Sequence, residues 1–386
     1  MSGYEQFDGW WGERARLAWD TIAMRPTAGI PAWMLHVMDM PLMEEVTGHE
    51  PGSFSREPEH VYIAFQEFSG SCYNDQFIPR NPLTMEAHGF APSAPRQATT
   101  GAERVVVAGR EISSAEDVAG DLETCVFPWR QMEIESYDPD DPMRIRQMAA
   151  DECAVQRQLG PNILKGPYGG GFQSFPCFHY TTYGYVNYFS AYALYPEIME
   201  RDFAQQADLA ALRNRASARA IIEGGLPRLL RLDHDMADSR GTLVRVETLD
   251  RLWFPHFARA VQPLLEAGIR LIWHCDGNLM QMAPRLLEAG LGGFQGFQYE
   301  DGMDYPAICR MTDRNGGPLL IEAGVSVTRT LPHGTRQDVR DELKWLVENG
   351  PPVGLFLGAT SSIVPGTKQE NILELIEGLR YYRERK

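Results

Sequence analysis

Short apolar runs alternate along this chain with longer segments whose apolar positions recur at helical spacing. The runs at 162–166, 229–235, 271–274, 293–298, 318–325 and 353–358 read as buried strands. The segments at 196–223, 249–267, 279–289, 303–309, 335–348 and 369–382 read as helices. Pro196 suits a first helical turn and Gly224-Gly225 a helix end. Thr335, with Asp338 three residues on, forms a capping pair. Strand and helix in regular succession predict a parallel α/β protein whose site lies at the carboxyl ends of the strands. With a further strand at 29–36, the units approach the eight of a closed (β/α)8 TIM barrel. An open parallel sheet is the alternative, and the lack of an early glycine-rich dinucleotide turn weighs against it.

The first part of the chain keeps this rhythm less cleanly. Helical patterns cover 1–25, 39–47, 58–68 and 139–160, and loop composition covers 70–101. Residues 104–108 and 123–127 read as short strands. Residues 1–386 are expected to form a single barrel domain, with an elaboration inside 1–160 and the clearest repeats in 162–386.

The chemistry concentrates at Leu271-Ile272-Trp273-His274-Cys275-Asp276-Gly277-Asn278, where an apolar run ends in an imidazole, a thiol and a carboxylate. Successive strand residues face opposite sides, so His274 and Asp276 share a face and Cys275 points away. The bland alternative is a packed histidine beside a helix-capping aspartate. Other strand tips add Asp235, Glu300 and Glu322, with Arg240 in the loop after Asp235. Tyr168 and Gly169, Gly170 and Gly171 form a glycine-rich tip that allows close ligand approach, and Asn278 follows the central strand. This tip lacks the spacing and the Lys-Ser/Thr of a phosphate loop. His36 and Met38 face the site if their strand joins the same sheet.

Composition narrows the partners. The 386 residues carry 36 Lys plus Arg against 52 Asp plus Glu, a formal charge of -16, which argues against nucleic acid or anionic membrane surfaces. The six cysteines form no CxxC pair or disulfide framework, so a reducing compartment is expected. No secretory pattern follows Met1 and no apolar run reaches spanning length, so the expectation is a soluble cytoplasmic protein.

Four stretches, in order and in strand-helix context, carry a family resemblance. They are Asp235-Met236-Ala237-Asp238-Ser239-Arg240-Gly241, Trp273-His274-Cys275-Asp276-Gly277, Leu331-Pro332-His333-Gly334-Thr335 and Val364-Pro365-Gly366-Thr367-Lys368-Gln369-Glu370-Asn371-Ile372. Over about 162–380 the chain resembles the uroporphyrinogen decarboxylase superfamily, which includes the corrinoid-linked (cobalamin-dependent) methyltransferases. That resemblance implies a (β/α)8 barrel with its site at the strand carboxyl ends.

The family's decarboxylases clamp carboxylates with arginines after a Pro-Val-Trp stretch. Here Pro31 and Trp33 look like that start, but His36 and Met40 stand where the arginines would be. Its thiol-activating methyltransferases hold zinc with a His-x-Cys-Gly stretch and a late cysteine. Here Asp276 stands at the first cysteine's place, and Thr360 or Ser361 near the last. A thiolate zinc site is therefore not expected. A nitrogen-and-oxygen site from His274 and Asp276, completed by Glu322, Asp235 or Glu300, is the open option, since zinc accepts both donors.

The resemblance implies methyl transfer from a small methylated or methoxylated substrate, such as an O-demethylation, to a corrinoid on a separate protein. His274, Asp276, Asp235 and Glu300 would activate the leaving group, and Arg240 is a further candidate. The glycine-rich tip with Tyr168 and Asn278 would meet the cofactor. A homodimer is compatible with this picture. A decarboxylase or lyase acting on a small carboxylated substrate, and a non-catalytic barrel binding a tetrapyrrole or aromatic ligand, are the alternative readings.

Overall fold

Seven short parallel strands order this chain. They are β1 (Tyr73–Asn74), β2 (Leu164–Lys165), β3 (Leu229–Asp233), β4 (Arg270–His274), β5 (Gly293–Gln295), β6 (Leu320–Val325) and β7 (Leu355–Ala359). The computed structural model describes residues 3–80, 105–169 and 171–384. Strands β3 to β7 form one five-stranded sheet in sequential order, so the 271 and 353 runs share a sheet. Ala32 pairs in parallel with Leu357, Trp33 with Tyr73, and β1 with β2. The parallel series thus passes from β3 through β7 and the 32–33 segment to β2. Among the described residues no ladder joins β2 back to β3.

The strands read as apolar because both faces are covered. In β4, Trp273 points to the helix layer and packs on Trp253 and Phe257, with ring centroids 6.0 and 5.6 Å away. All three rings are fully buried. Burying each such ring stabilises the fold by roughly 1.5–3 kcal/mol, and Trp273→Ala would cost about 3–5 kcal/mol. The adjacent residue, His274, faces the opposite side. The main cluster of buried apolar side chains runs from Tyr4 to Tyr382, so N-terminal helices and the late strands share one core.

Local chemistry sets the helix limits. Pro196–Glu223 begins on its proline and ends at Gly224-Gly225, with Gly225 at φ 61°. Thr335 and Asp338 form a reciprocal capping box for Arg336–Asn349. The Asp39 carboxylate caps Met40–Val46. The 249–267 pattern is two helices, Val246–Leu252 and Phe254–Glu266, broken at Trp253, whose ring stacks on Phe257.

One expected strand is a helix. Residues Leu122–Val126 form a π-helical turn between Ala115–Asp121 and Phe127–Ser136. Thr124 and Val126 favour a strand, but fully buried Leu122 holds the segment in a continuous helical run. Val105–Val107 does pair, antiparallel with Arg110–Ile112, while Arg104 and most of the 70–101 loop lie outside the described residues. Among the described residues no helix is long and apolar enough to cross a membrane.

Candidate active site at the strand carboxyl ends

The registers align a row of polar side chains across the sheet. Asp233 pairs with His274, His274 with Gln295, and Gln295 with Glu322. Register partners in a parallel ladder point to the same side, so all four face one cavity. That cavity has a volume of about 240 Å³. His36, Gln76, Arg231, Ser361 and Ser362 complete its polar lining, and Trp33, Met34 and Met38 its apolar wall. A larger hollow of about 640 Å³ lies at the opposite, amino-terminal ends of the strands, around Arg228, Arg270 and Gly292. None of the reactive side chains reaches it.

His274 is the centre of the acidic cluster. Its Nε2 stands 4.0 Å from Asp233 Oδ1 and 3.9 Å from Asp276 Oδ1. Burial pulls its pKa down, but Asp233, Asp276 and, more weakly, Asp235 outweigh burial and hold the imidazolium above its ordinary range. Gly296, at φ 76°, lets the backbone lie against the ring, since a Cβ there would come within 2.5 Å of Nδ1. Desolvation raises the pKa of Asp276 and Asp235, and the neighbouring charge of Asp276 raises Asp235 further. The Asp235 carboxylate accepts the Asp276 backbone N–H at 2.8 Å, joining the two strand tips.

Arg231 supports this cluster from below. Its Nε donates to Asp75 at 2.8 Å, and its terminal nitrogens reach Asp233 at 3.1, Gln76 at 3.1 and Gln295 at 3.4 Å. Both Arg231 and Asp75 are buried. The Tyr168 ring lies 4.8 Å from the guanidinium and its hydroxyl donates to Asp233 at 2.9 Å. Desolvation raises Asp233, yet His274, Arg231 and the Tyr168 hydroxyl together keep its pKa below the ordinary value. Among the described residues lining the cavity, Arg231 is the sole arginine or lysine.

Asp235, His274 and Asp276 have ligand atoms within 4.8 Å of one another, the grouping a metal would need. Asp276 Oδ1 has no hydrogen-bond partner. Nitrogen and carboxylate donors suit zinc, and side-chain rotation would draw them to bonding distance. Glu322 does not join this grouping. It stands two strands from His274, about 10 Å across the ladder.

The other expected residues divide. Cys275 points away as the alternation requires: its Sγ accepts the Met236 N–H at 3.3 Å and burial pushes its thiol pKa well up. Glu300 is taken up by the Ser326 and Thr328 hydroxyls outside the cavity lining. Asn278 accepts the Met280 N–H at 3.1 Å as a turn cap. Arg240 projects into solvent from the hairpin of Ala237–Asp238 and Gly241–Thr242, its side chain 88% exposed and paired with Asp238. Gly169 and Gly171 take positive φ as expected, but they do not line the cavity, and Gly170 lies outside the described residues. Sequence reasoning missed Arg231, Asp233, Gln295 and Asp75. The first three were signalled by a polar residue inside an otherwise apolar strand; Asp75, in a loop after a two-residue strand, had no signal.

No protein-family model matches the chain. No curated protein sequence matches it either. Among solved structures it is similar to a methyltransferase from Methanosarcina mazei, with TM-score 0.56 and 13% identity over 96% of this chain and 98% of that one. A protein described as a vitamin-B12-independent methionine synthase from Listeria monocytogenes superposes with TM-score 0.40 and 14% identity over 92% and 96%, too distant to carry an argument. The chain therefore shares the mixed α/β fold of the Methanosarcina mazei methyltransferase.

Proposed function

We propose that this chain is a methyltransferase that moves a methyl group from a small methylated or methoxylated substrate to a corrinoid carried by a separate protein. The observation that carries the reading is the buried His274, flanked by Asp233 and Asp276, lining a substrate-sized cavity at the strand carboxyl ends. The described methyltransferase activity of the Methanosarcina mazei fold neighbour supports it. In this reading the parallel series closes into a single (β/α)8 barrel, with the cavity at its mouth.

Demethylation of an ether or amine is slow because the leaving oxygen or nitrogen is a poor leaving group. An imidazolium held protonated by two carboxylates can donate a proton to that atom as it departs. Asp233, anchored by Arg231 and Tyr168, holds its negative charge 4.0 Å from the ring, and Asp276 adds to the stabilisation of the imidazolium. Zinc, if bound by Asp235, His274 and Asp276, would supply Lewis-acid activation of the same leaving atom. Trp33, Met34 and Met38 would bind the apolar part of the substrate and exclude water.

A decarboxylase reading requires cations for substrate carboxylates. Arg231 is the sole arginine or lysine lining the cavity among the described residues, and Asp75, Asp233, Gln76 and Gln295 engage it. The test is activity with a purified corrinoid protein and a panel of methoxylated and methylated compounds. Corrinoid methylation by wild-type protein supports the reading; carbon dioxide release from a carboxylated compound without methyl transfer overturns it.

A further inference from the structure

Glu322 is the side chain in the cavity that the proton-donating cluster leaves unused. It is 1% exposed, lines the cavity, and its Oε2 has no hydrogen-bond partner. The Gln295 side chain hydrogen-bonds the carboxyl group but leaves Oε2 without a donor, and leaving a buried carboxyl oxygen unpaired is costly. A Cβ at Gly358 would lie 2.5 Å from Glu322 Oε1 and 3.7 Å from the Trp33 side chain, so the bare glycine makes the space the carboxyl occupies. Gly358 is an ordinary strand position in β7, with no turn to require it. A second unpartnered atom lines the same cavity: His36 Nδ1 pairs with Ser362 Oγ at 2.7 Å, which leaves Nε2 without a partner.

We propose that Glu322, with His36 lining the same cavity, is its specificity-determining anchor, selecting a small neutral or cationic ligand that brings an O–H or N–H donor and rejecting carboxylates. The inference rests on the methyl-transfer reading for the cavity being the substrate site, and it adds the substrate's chemical class. Asp75, Asp233, Gln76 and Gln295 already take up four of the five Arg231 N–H donors, while Glu322 and Asp233 repel an anion. Space is adequate: an apolar cavity of about 150 Å³ holds benzene, so about 240 Å³ holds a substituted ring.

The test reads binding alone, by calorimetry at about pH 8 with phenol, anisole and benzoate as probes, so failed catalysis and failed anchoring are told apart. Wild-type protein should bind phenol about 10-fold or more tighter than anisole or benzoate, the scale of one hydrogen bond to a charged group. Glu322→Leu should lose that preference and keep its anisole affinity. Glu322→Gln, which preserves shape and one acceptor oxygen, should lose a smaller part and serves as the deciding variant if the leucine protein does not fold. Phenol that fails to bind, benzoate that binds as tightly as phenol, or a folded Glu322 variant with the wild-type phenol preference would each overturn the proposal.

Discussion

Asp233 and His274 are register partners on neighbouring parallel strands, and the carboxylate Oδ1 stands 4.0 Å from the imidazole Nε2. The pairing ties the charge of the histidine to the backbone ladder itself. After burial, Asp233 is the largest influence on the His274 pKa, and it acts upward. Asp233→Asn should therefore lower that pKa and leave the ring neutral over more of the pH range near 7. An NMR titration of the imidazole checks this. An unchanged or higher pKa would show that Asp233 does not hold the imidazolium.

Arg231 and Asp75 are an almost fully buried ion pair, 6% and 1% exposed in their side chains. Replacing Arg231 with Met keeps the volume but leaves the Asp75 carboxylate without its cation. A loss of about 3–5 kcal/mol is expected, measured by urea unfolding. A loss below about 1 kcal/mol would mean that the pair does not organise the cavity floor.

Stability should also report on Glu322. Gln295 from β5, Arg231 from β3, His274 from β4 and Asp75 face it, and burial dominates, raising its pKa from 4.5 to about 7. The folded state thus holds a proton that the unfolded state releases across that window. Glu322 is neutral in its effect below about pH 4.5, and it destabilises progressively as pH rises through 7. Glu322→Leu should accordingly gain on wild type with rising pH, by on the order of 3 kcal/mol in full. His36 and His234, whose pKa values burial lowers to about 4, act in the opposite sense, and they cancel in the comparison. Thermal unfolding of both proteins from pH 4.5 to 8 checks the trend, and a difference that shrinks as pH rises would contradict it.

Metal content is a separate readout. If zinc binds, protein purified without chelator should hold it, and His274→Ala should lose it, because the imidazole is the sole nitrogen donor in the Asp235, His274 and Asp276 grouping. Elemental analysis below about 0.1 zinc per chain after supplementation would leave the proton-donor route.

Much of this was legible in the chain because the signals were local. The Pro196–Glu223 helix follows from its proline start and double-glycine stop. The opposed faces of His274 and Cys275 follow from strand alternation. What was not legible depends on register and long-range packing. Asp75 meets Arg231 across 156 positions of sequence. Whether Glu322 neighbours His274 or stands two strands away is set by the order and register of β4, β5 and β6, which no single stretch encodes. Arg240 looked reactive next to Asp235, but a two-residue hairpin turns it outward.

The most direct test of the account compares His274→Ala with Cys275→Ser in a corrinoid methylation assay that the wild-type protein supports. The imidazole lines the cavity, whereas the thiol is buried on the other face. His274→Ala should fold normally and lose about 100-fold or more in turnover, the scale of a general acid or metal ligand. Cys275→Ser should retain most of it. Wild-type turnover in His274→Ala, or inactivity confined to Cys275→Ser, would contradict the account.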